Sequence, residues 1–370
     1  MSAKWIAITA AALLAAAPSA AKDYVMGSGI PAKNPLMEKA AEPFLAQISK
    51  ESGGSMNWKL LAGSQVISMN ASLDGLKNSL VDAAFIIPVF QRTALINNNV
   101  LFDAQYFDSD VVQVTGATVE TILFDCPECL DEYRRNNGVY LGAGFSATPF
   151  NLICKSPVRT LDQIKGLKVR ATGASTRFIT AMAAIPVNLG PAEMVQAVDR
   201  GAIDCAHAPY AWLRAYGLID VAKNVLEAPM GTARALTLVV MNRKVWNGLA
   251  KKDREIIFRN IPMASARATL VAYVETDREV RKDAVANGVK FFDAGKDVLD
   301  VVDRHAETEK TVVPETMRKQ GAKDPERLLA AYLKNLAKWK PLAAEIGDDM
   351  NKYISVFRRE IFDRVDVDKL

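Results

Sequence analysis

Beyond residue 21 the chain alternates short apolar runs with stretches whose apolar residues return every three or four positions, the patterns of strands and of one-sided helices. "KDYVMGSGI" predicts a strand closed by a glycine-rich turn, and "PLMEKAAEPFLAQISKESGG" a helix that stops at Gly53 and Gly54. A strand in "MNWKLLAG", a helix in "SMNASLDGLKNSLVD" and a strand in "AAFIIPVF" that ends at Pro88 complete a βαβαβ rhythm. That rhythm predicts a parallel sheet with ligand chemistry at the carboxyl ends of its strands. A second run of it begins near Gly138, with strands in "VYLGAGFSA", "FNLICKSP", "GLKVRAT", "IPVNLG" and "AIDCAHAP". Helices in "TRFITAMAA", "PAEMVQAVDRG" and "YGLIDVAKN" lie between them, and "LTLVVMNRKVWNGL" reads as a strand leading into a helix. From Asp253 to Asn287 a long helical pattern is interrupted by Pro262, which should kink it. At about 1.5 Å per residue it reaches roughly 50 Å, enough to touch two lobes. The tail from Glu307 is helical and charged. Two sheet-bearing lobes with several crossings predict a hinged clam that closes around a ligand.

The first twenty-one residues break this pattern. One positive charge at Lys4, an apolar stretch from Trp5 to Ala17 and small residues from Ser19 to Ala21 form the layout of a secretory signal peptide cleaved near Ala20 or Ala21. The stretch is shorter than the roughly 20 apolar residues a membrane anchor needs. Cleavage removes Lys4 and no acid, so the net charge falls only from +4 to +3. With its basic residues dispersed, the chain gives no sign of a nucleic-acid partner. Export changes the reading of the four cysteines, which become disulfide candidates. Cys126 and Cys129 stand in "DCPEC" between the helical "ATVETILF" and "LDEYRRN". That is not the helix N-terminus of a thioredoxin-like unit, so a local staple is favoured over redox catalysis. Cys154 and Cys205 each sit in a strand-like run and are candidates to pair; the sequence leaves connectivity open.

Catalytic chemistry finds little support. The chain has two histidines, His207 and His305, and no GxSxG, HExxH or Walker motif. Histidine and cysteine do not cluster at metal-ligand spacings. Neither an enzyme, a metal nor a cofactor is expected. Binding chemistry has a candidate in "GLKVRATGAS": Arg170 ends a strand, and Thr172 to Ser175 lead into a helix starting near Thr176. A guanidinium beside the free N–H groups of a helix N-terminus suits an anion, and its planar fork suits a carboxylate. A surface arginine or an internal salt bridge would give the same pattern.

The segments "IKGLKVRATGAS", "IPVNLGPAEMVQAVDRGAIDCAHAPYAW" and "LVVMNRKVWNGLAKKDREII" resemble the solute-binding proteins of TRAP (tripartite ATP-independent periplasmic) transporters, the C4-dicarboxylate-binding-like family. The similarity extends through the first-lobe "KNPLMEKAAEPFLAQISKESGGSMNWKLLAGSQ" and "GLKNSLVDAAF", over nearly all the mature chain. It implies an α/β periplasmic-binding-protein clam of type II-like architecture, with hinge strands and a long kinked helix spanning both lobes. The lobes are expected at 22–146 plus 234–275 and at 147–233 plus 276–370, the second carrying a C-terminal helical extension. The resemblance also implies periplasmic location and a small and a large integral membrane subunit as partners, and it gives Arg170 the main salt bridge to a ligand carboxylate. Elsewhere the chain departs from better-known members. Phe150 occupies the second arginine of sialic-acid binders. "DCAHAP" replaces "DGxEN", putting Cys205, His207 and Ala208 for glycine, glutamate and asparagine. Ile87, with Pro88 beside it, replaces a polar first-lobe position. With Tyr210 and Trp212 these residues describe a greasy pocket with one charged end. The expected ligand is a monocarboxylate with an apolar or aromatic body, such as an aryl or keto acid, with His207 offering a hydrogen bond. Arg234, near the crossing back to the first lobe, is a candidate second cation that would favour a C4-dicarboxylate instead; Arg177 is expected at the surface. A ligand-sensing module for a membrane receptor would share the same clam.

Overall fold

The computed structural model describes residues 22–370, and the leader read from residues 1–21 lies outside them. Among the described residues twelve strands form two six-stranded sheets. In the first lobe β1 (Lys22–Gly27), β2 (Met56–Leu61), β3 (Ala83–Ile86), β4 (Gly138–Tyr140) and β5 (Gly144–Phe145) precede the excursion to the second. There lie β6 (Asn151–Cys154), β7 (Lys168–Arg170), β8 (Ile185–Val187), β9 (Cys205–Ala208) and β10 (Asn224–Glu227). The chain then returns through β11 (Leu236–Asn242) and leaves again to β12 (Lys290–Asp293).

The first sheet runs β2-β1-β3-β11-β4, with β5 also on β11; the second runs β12-β10-β6-β9-β7-β8. The expected parallel pairing holds where β1 meets β2 and β3, and where β7 meets β8 and β9. It fails for β11, which is antiparallel to β3, and for β6, antiparallel to β9 and β10. Both enter a sheet from the opposite lobe, so they run against strands built by local crossovers. All seven residues of β11 are buried, as suits a central strand covered on both faces. Sequence periodicity missed β10 and β12, two four-residue strands.

Two extended crossings run side by side at the hinge. Ala147 donates to the carbonyl of Ala233, Phe150 to that of Gly231, and Met230 to that of Phe150. The long helical stretch makes a third connection. A helix at Lys251–Arg259 breaks at Asn260, and Pro262 falls in the first turn of the next helix, where its missing N–H costs nothing. A wide-turned segment at Arg267–Glu275 and a helix at Thr276–Ala286 follow. Ile257 to Tyr273 pack into the first lobe, Val280 and Ala284 into the second, so the stretch spans both as expected.

The C-terminal tail does not belong to the second lobe. The helix Lys296–Lys319 starts there with Val298 and Val301, but its Val313 and Met317 are in the first-lobe core. The helix Pro325–Ile346 then packs on the helix Val111–Glu120 and adds Leu328, Leu329, Tyr332, Leu336 and Trp339 to the first-lobe core. Gly116 makes that approach possible, since a Cβ there would sit 2.1 Å from the Trp339 ring.

Both cysteine pairs form disulfides. Cys126 caps the helix Pro127–Arg135, so the pair does stand at a helix N-terminus, against the sequence reading; both residues are nonetheless fully buried. Cys154 and Cys205 face each other across β6 and β9, Cα atoms 4.1 Å apart, closing a separation of 51 residues. Replacing both by alanine is expected to destabilise the protein by about 2–4 kcal/mol. Denaturant titration checks this, and a change below about 0.5 kcal/mol would show that the sheet holds without the link.

Candidate functional site

Strand β7 lies between β9 and β8, and its two-residue alternation sends Val169 into the core. Arg170, the last residue, meets the space between the lobes. Its side chain is only 2% exposed, and its Nε donates to the carbonyl of Leu189 at 2.9 Å. The guanidinium lies 5.2 Å from the Trp212 ring. Among the described residues no carboxylate comes within 4.0 Å of it, and its two terminal nitrogens make no hydrogen bond. Burial lowers its pKa to about 10, which leaves it charged at neutral pH. A buried cation with most of its donors idle is costly unless an anion joins it.

The helix N-terminus does not supply the remaining donors. The N–H groups of Ser175, Thr176 and Arg177 are taken by the carbonyls of Thr172, Gly173 and Ala174. The anion receptacle is the guanidinium itself.

Arg170 ends in a tight chamber, a cavity of about 50 Å³ walled from both lobes. Phe85, Ile87, Phe102 and Phe145 come from the first lobe, Phe150 from the crossing and Trp212 from the second. Phe150 and Trp212 pack with ring centres 5.7 Å apart, and Tyr216 stands edge-on to Trp212 at 5.3 Å. Outside lies a wide mouth of about 900 Å³, open to solvent and lined by polar residues such as Ser64, Asn70, Asn188 and Glu193. Seven residues border both spaces and form a neck: Ile30, Met69, Val89 and Phe90 from the first lobe, Thr172, Pro191 and Tyr216 from the second. At its edge Gly173, with φ +56°, lets the lobes touch; a Cβ there would sit 3.1 Å from Phe102 and from Val89.

Of the residues singled out in the sequence, Arg170, Ile87, Phe150 and Trp212 gather in this chamber. The others do not. His207 is buried behind Phe150, ring centres 5.0 Å apart, and its Nε2 donates to the carbonyl of Met230 at 2.8 Å. Burial, with Arg170 nearby, lowers its pKa to about 3, so it is neutral. Ala208 is fully buried in the second-lobe core. Tyr210 turns to the back of the hinge, where its hydroxyl donates to Glu227 at 2.7 Å. Arg234 is fully buried and caged: it donates to the carbonyls of Gln105 and Asp108 at 2.8 Å each, to that of Thr232, and to the Tyr332 hydroxyl. It is a brace for the hinge, not a cleft contact. Arg177, expected at the surface, binds Glu309 through two nitrogens and Asp103 through a third. Sequence reasoning missed Phe85, Phe102, Phe145, Tyr216, Tyr273 and Gln105 in the chamber.

Residues 26–307 match the family model for DctP, the bacterial extracellular solute-binding protein family 7. The chain belongs to this family. The resemblance read from its motifs therefore holds at family level. A TRAP solute-binding protein from Rhodoferax ferrireducens, solved with copurified benzoate, is similar at 21% identity and a TM-score of 0.76, covering 87% of this chain and 99% of that one. A TRAP periplasmic solute-binding protein from Chromohalobacter salexigens, solved with bound d-glucuronate, is 17% identical at a TM-score of 0.70, over 85% and 99%. At these identities the likeness establishes the shared clam fold. The outer membrane transporter protein TsaT of Comamonas testosteroni is 29% identical over 140 residues, 37% of this chain; the chain spans 41% of that relative's length. No helix among the described residues is long and apolar enough to cross a membrane.

Proposed function

We propose that this protein is the periplasmic receptor of a TRAP-type transporter and that its solute is a monocarboxylate with an aromatic or apolar body. The observation that carries the reading is Arg170: a buried guanidinium without an acidic partner, at one end of a chamber whose walls are otherwise mostly apolar. A carboxylate supplies the missing charge and pairs with the planar fork. Its body replaces water against phenylalanine, tryptophan and isoleucine, worth about 25 cal/mol per Å² of apolar surface covered. The same fold holds benzoate in one relative and d-glucuronate in another, so the walls must choose. A sugar acid would bring several hydroxyls, each costing about 1–3 kcal/mol if left without a partner. The two arginines that would have suited a dicarboxylate are both engaged, Arg177 by acids and Arg234 by carbonyls.

In this reading the solute docks on Arg170 in the open clam and the first lobe then closes over its body. Contacts to both lobes favour the closed shape, which the membrane subunits recognise. The solute moves that equilibrium only through its unequal affinity for the two shapes. Mass spectrometry of the small molecule that copurifies, with a thermal-shift panel of organic acids, tests the proposal. Aryl monocarboxylates at about 100 times Kd should add about 2.7 kcal/mol of stability. Stabilisation by sugar acids or short aliphatic diacids alone would overturn it.

A further inference from the structure

The chamber holds a polar side chain that the fold uses only in part and the carboxylate does not explain. Gln105 follows the helix Ile96–Asp103 of the first lobe, is 2% exposed, and lines the chamber with Phe102, Phe145 and Phe150. Its backbone is fixed: the carbonyl accepts from the Thr232 N–H at 2.9 Å and from Arg234 Nη2 at 2.8 Å. One end of its side chain is also fixed, because Oε1 accepts from the Ser175 hydroxyl at 3.1 Å across the lobe interface. The amide NH2 group makes no hydrogen bond to any described residue. A buried amide with an idle end among phenyl rings is unfavourable unless the occupant of the chamber pairs with it.

We infer that Gln105 recognises a hydroxyl group on the body of the solute, so that the preferred ligand is a hydroxylated aromatic acid and not a bare aryl carboxylate. A hydroxyl both donates and accepts, so it satisfies the idle end in either orientation of the amide. The inference rests on Arg170 as the carboxylate anchor and adds a second polar point from the opposite lobe. A solute held by Arg170 from behind and by Gln105 from in front bridges the two lobes through hydrogen bonds, whereas benzoate would pair with Arg170 and reach the opposite lobe through apolar contact alone.

Calorimetry with benzoate, 3-hydroxybenzoate, 4-hydroxybenzoate and mandelate tests this on the mature wild-type protein and on Gln105→Leu, Ser175→Ala and Arg170→Ala. In the wild type at least one hydroxylated acid should bind about tenfold more tightly than benzoate, the size of one good buried hydrogen bond. Gln105→Leu should abolish that preference, and its cooperative thermal unfolding shows that the variant is folded. Ser175→Ala, which frees the amide without removing it, should reduce the preference. If Gln105→Leu misfolds, Ser175→Ala decides alone. A wild type that binds benzoate at least as well as every hydroxylated acid overturns the inference, and so does an unreduced preference in Gln105→Leu or, where that variant misfolds, in Ser175→Ala. If instead Arg170→Ala binds all four acids like wild type, the carboxylate anchor is what fails.

Discussion

Arg170→Ala should cost about 3–5 kcal/mol of binding free energy, because the carboxylate would still be desolvated on entry but would meet no cation. That is a few hundred-fold or more in Kd, measurable by calorimetry with the acid that stabilises the wild type best. Arg170→Lys should also bind weakly, since an ammonium lacks the planar fork and cannot reproduce both the contact to Leu189 and a two-point grip on the solute. The empty protein should respond in the opposite sense. Arg170 is buried with one hydrogen bond and no acid beside it, so Arg170→Met should raise the melting temperature of the unliganded protein while binding is lost. Wild-type affinity in Arg170→Ala would remove the residue from the site.

Arg177→Met should weaken binding of every solute by a similar factor without touching any of them. Arg177 comes from the helix Ser175–Ala181 of the second lobe and reaches Asp103 of the first at 3.2 Å. It also holds Glu309, on the helix that straps the lobes together, at 2.8 and 2.5 Å. The side chains of Asp103 and Glu309 are almost wholly buried, 0% and 1% exposed. Although burial works against its charge, hydrogen bonds to Glu309 and Asp103 hold the Arg177 pKa above its ordinary value. Arg92 would still pair with Asp103, but Glu309 would lose its arginine. Breaking such a buried pair costs about 3–5 kcal/mol, here drawn from the closed form in which the lobes meet. The expected result is a uniform drop in affinity and a larger radius of gyration with solute present, by small-angle scattering. A change in the order of preferred solutes, with closure intact, would contradict this role.

These two arginines mark the limits of what the sequence discloses. Arg170 was legible because a strand end carrying a charge, followed by small residues, is a local pattern, and the resemblance gave it a role. Arg177 and Arg234 were not, since an arginine aimed at a cavity and one caged by carbonyls read alike until distant partners are placed. Asp103, Glu309 and Tyr332 lie 74, 132 and 98 positions from the arginines they meet. The chamber walls were hidden for a related reason. Phe85, Phe102 and Phe145 follow the same apolar periodicity as the core, and a cavity is a gap between elements far apart in the chain. Most strands and the spanning helix are legible from local alternation, whereas the four-residue strands β10 and β12 are not. The tail was misplaced, because its apolar stripe has no address until Gly116 opens a slot for Trp339.

The neck has a consequence for timing. Four of its residues travel with one lobe and three with the other, so in the shut form no route out is framed by a single rigid body. In the proposed mechanism a held solute leaves when the halves separate, so its residence time should follow the frequency of that separation. On that mechanism, a docking partner that pries the halves apart would decide when the cargo is delivered.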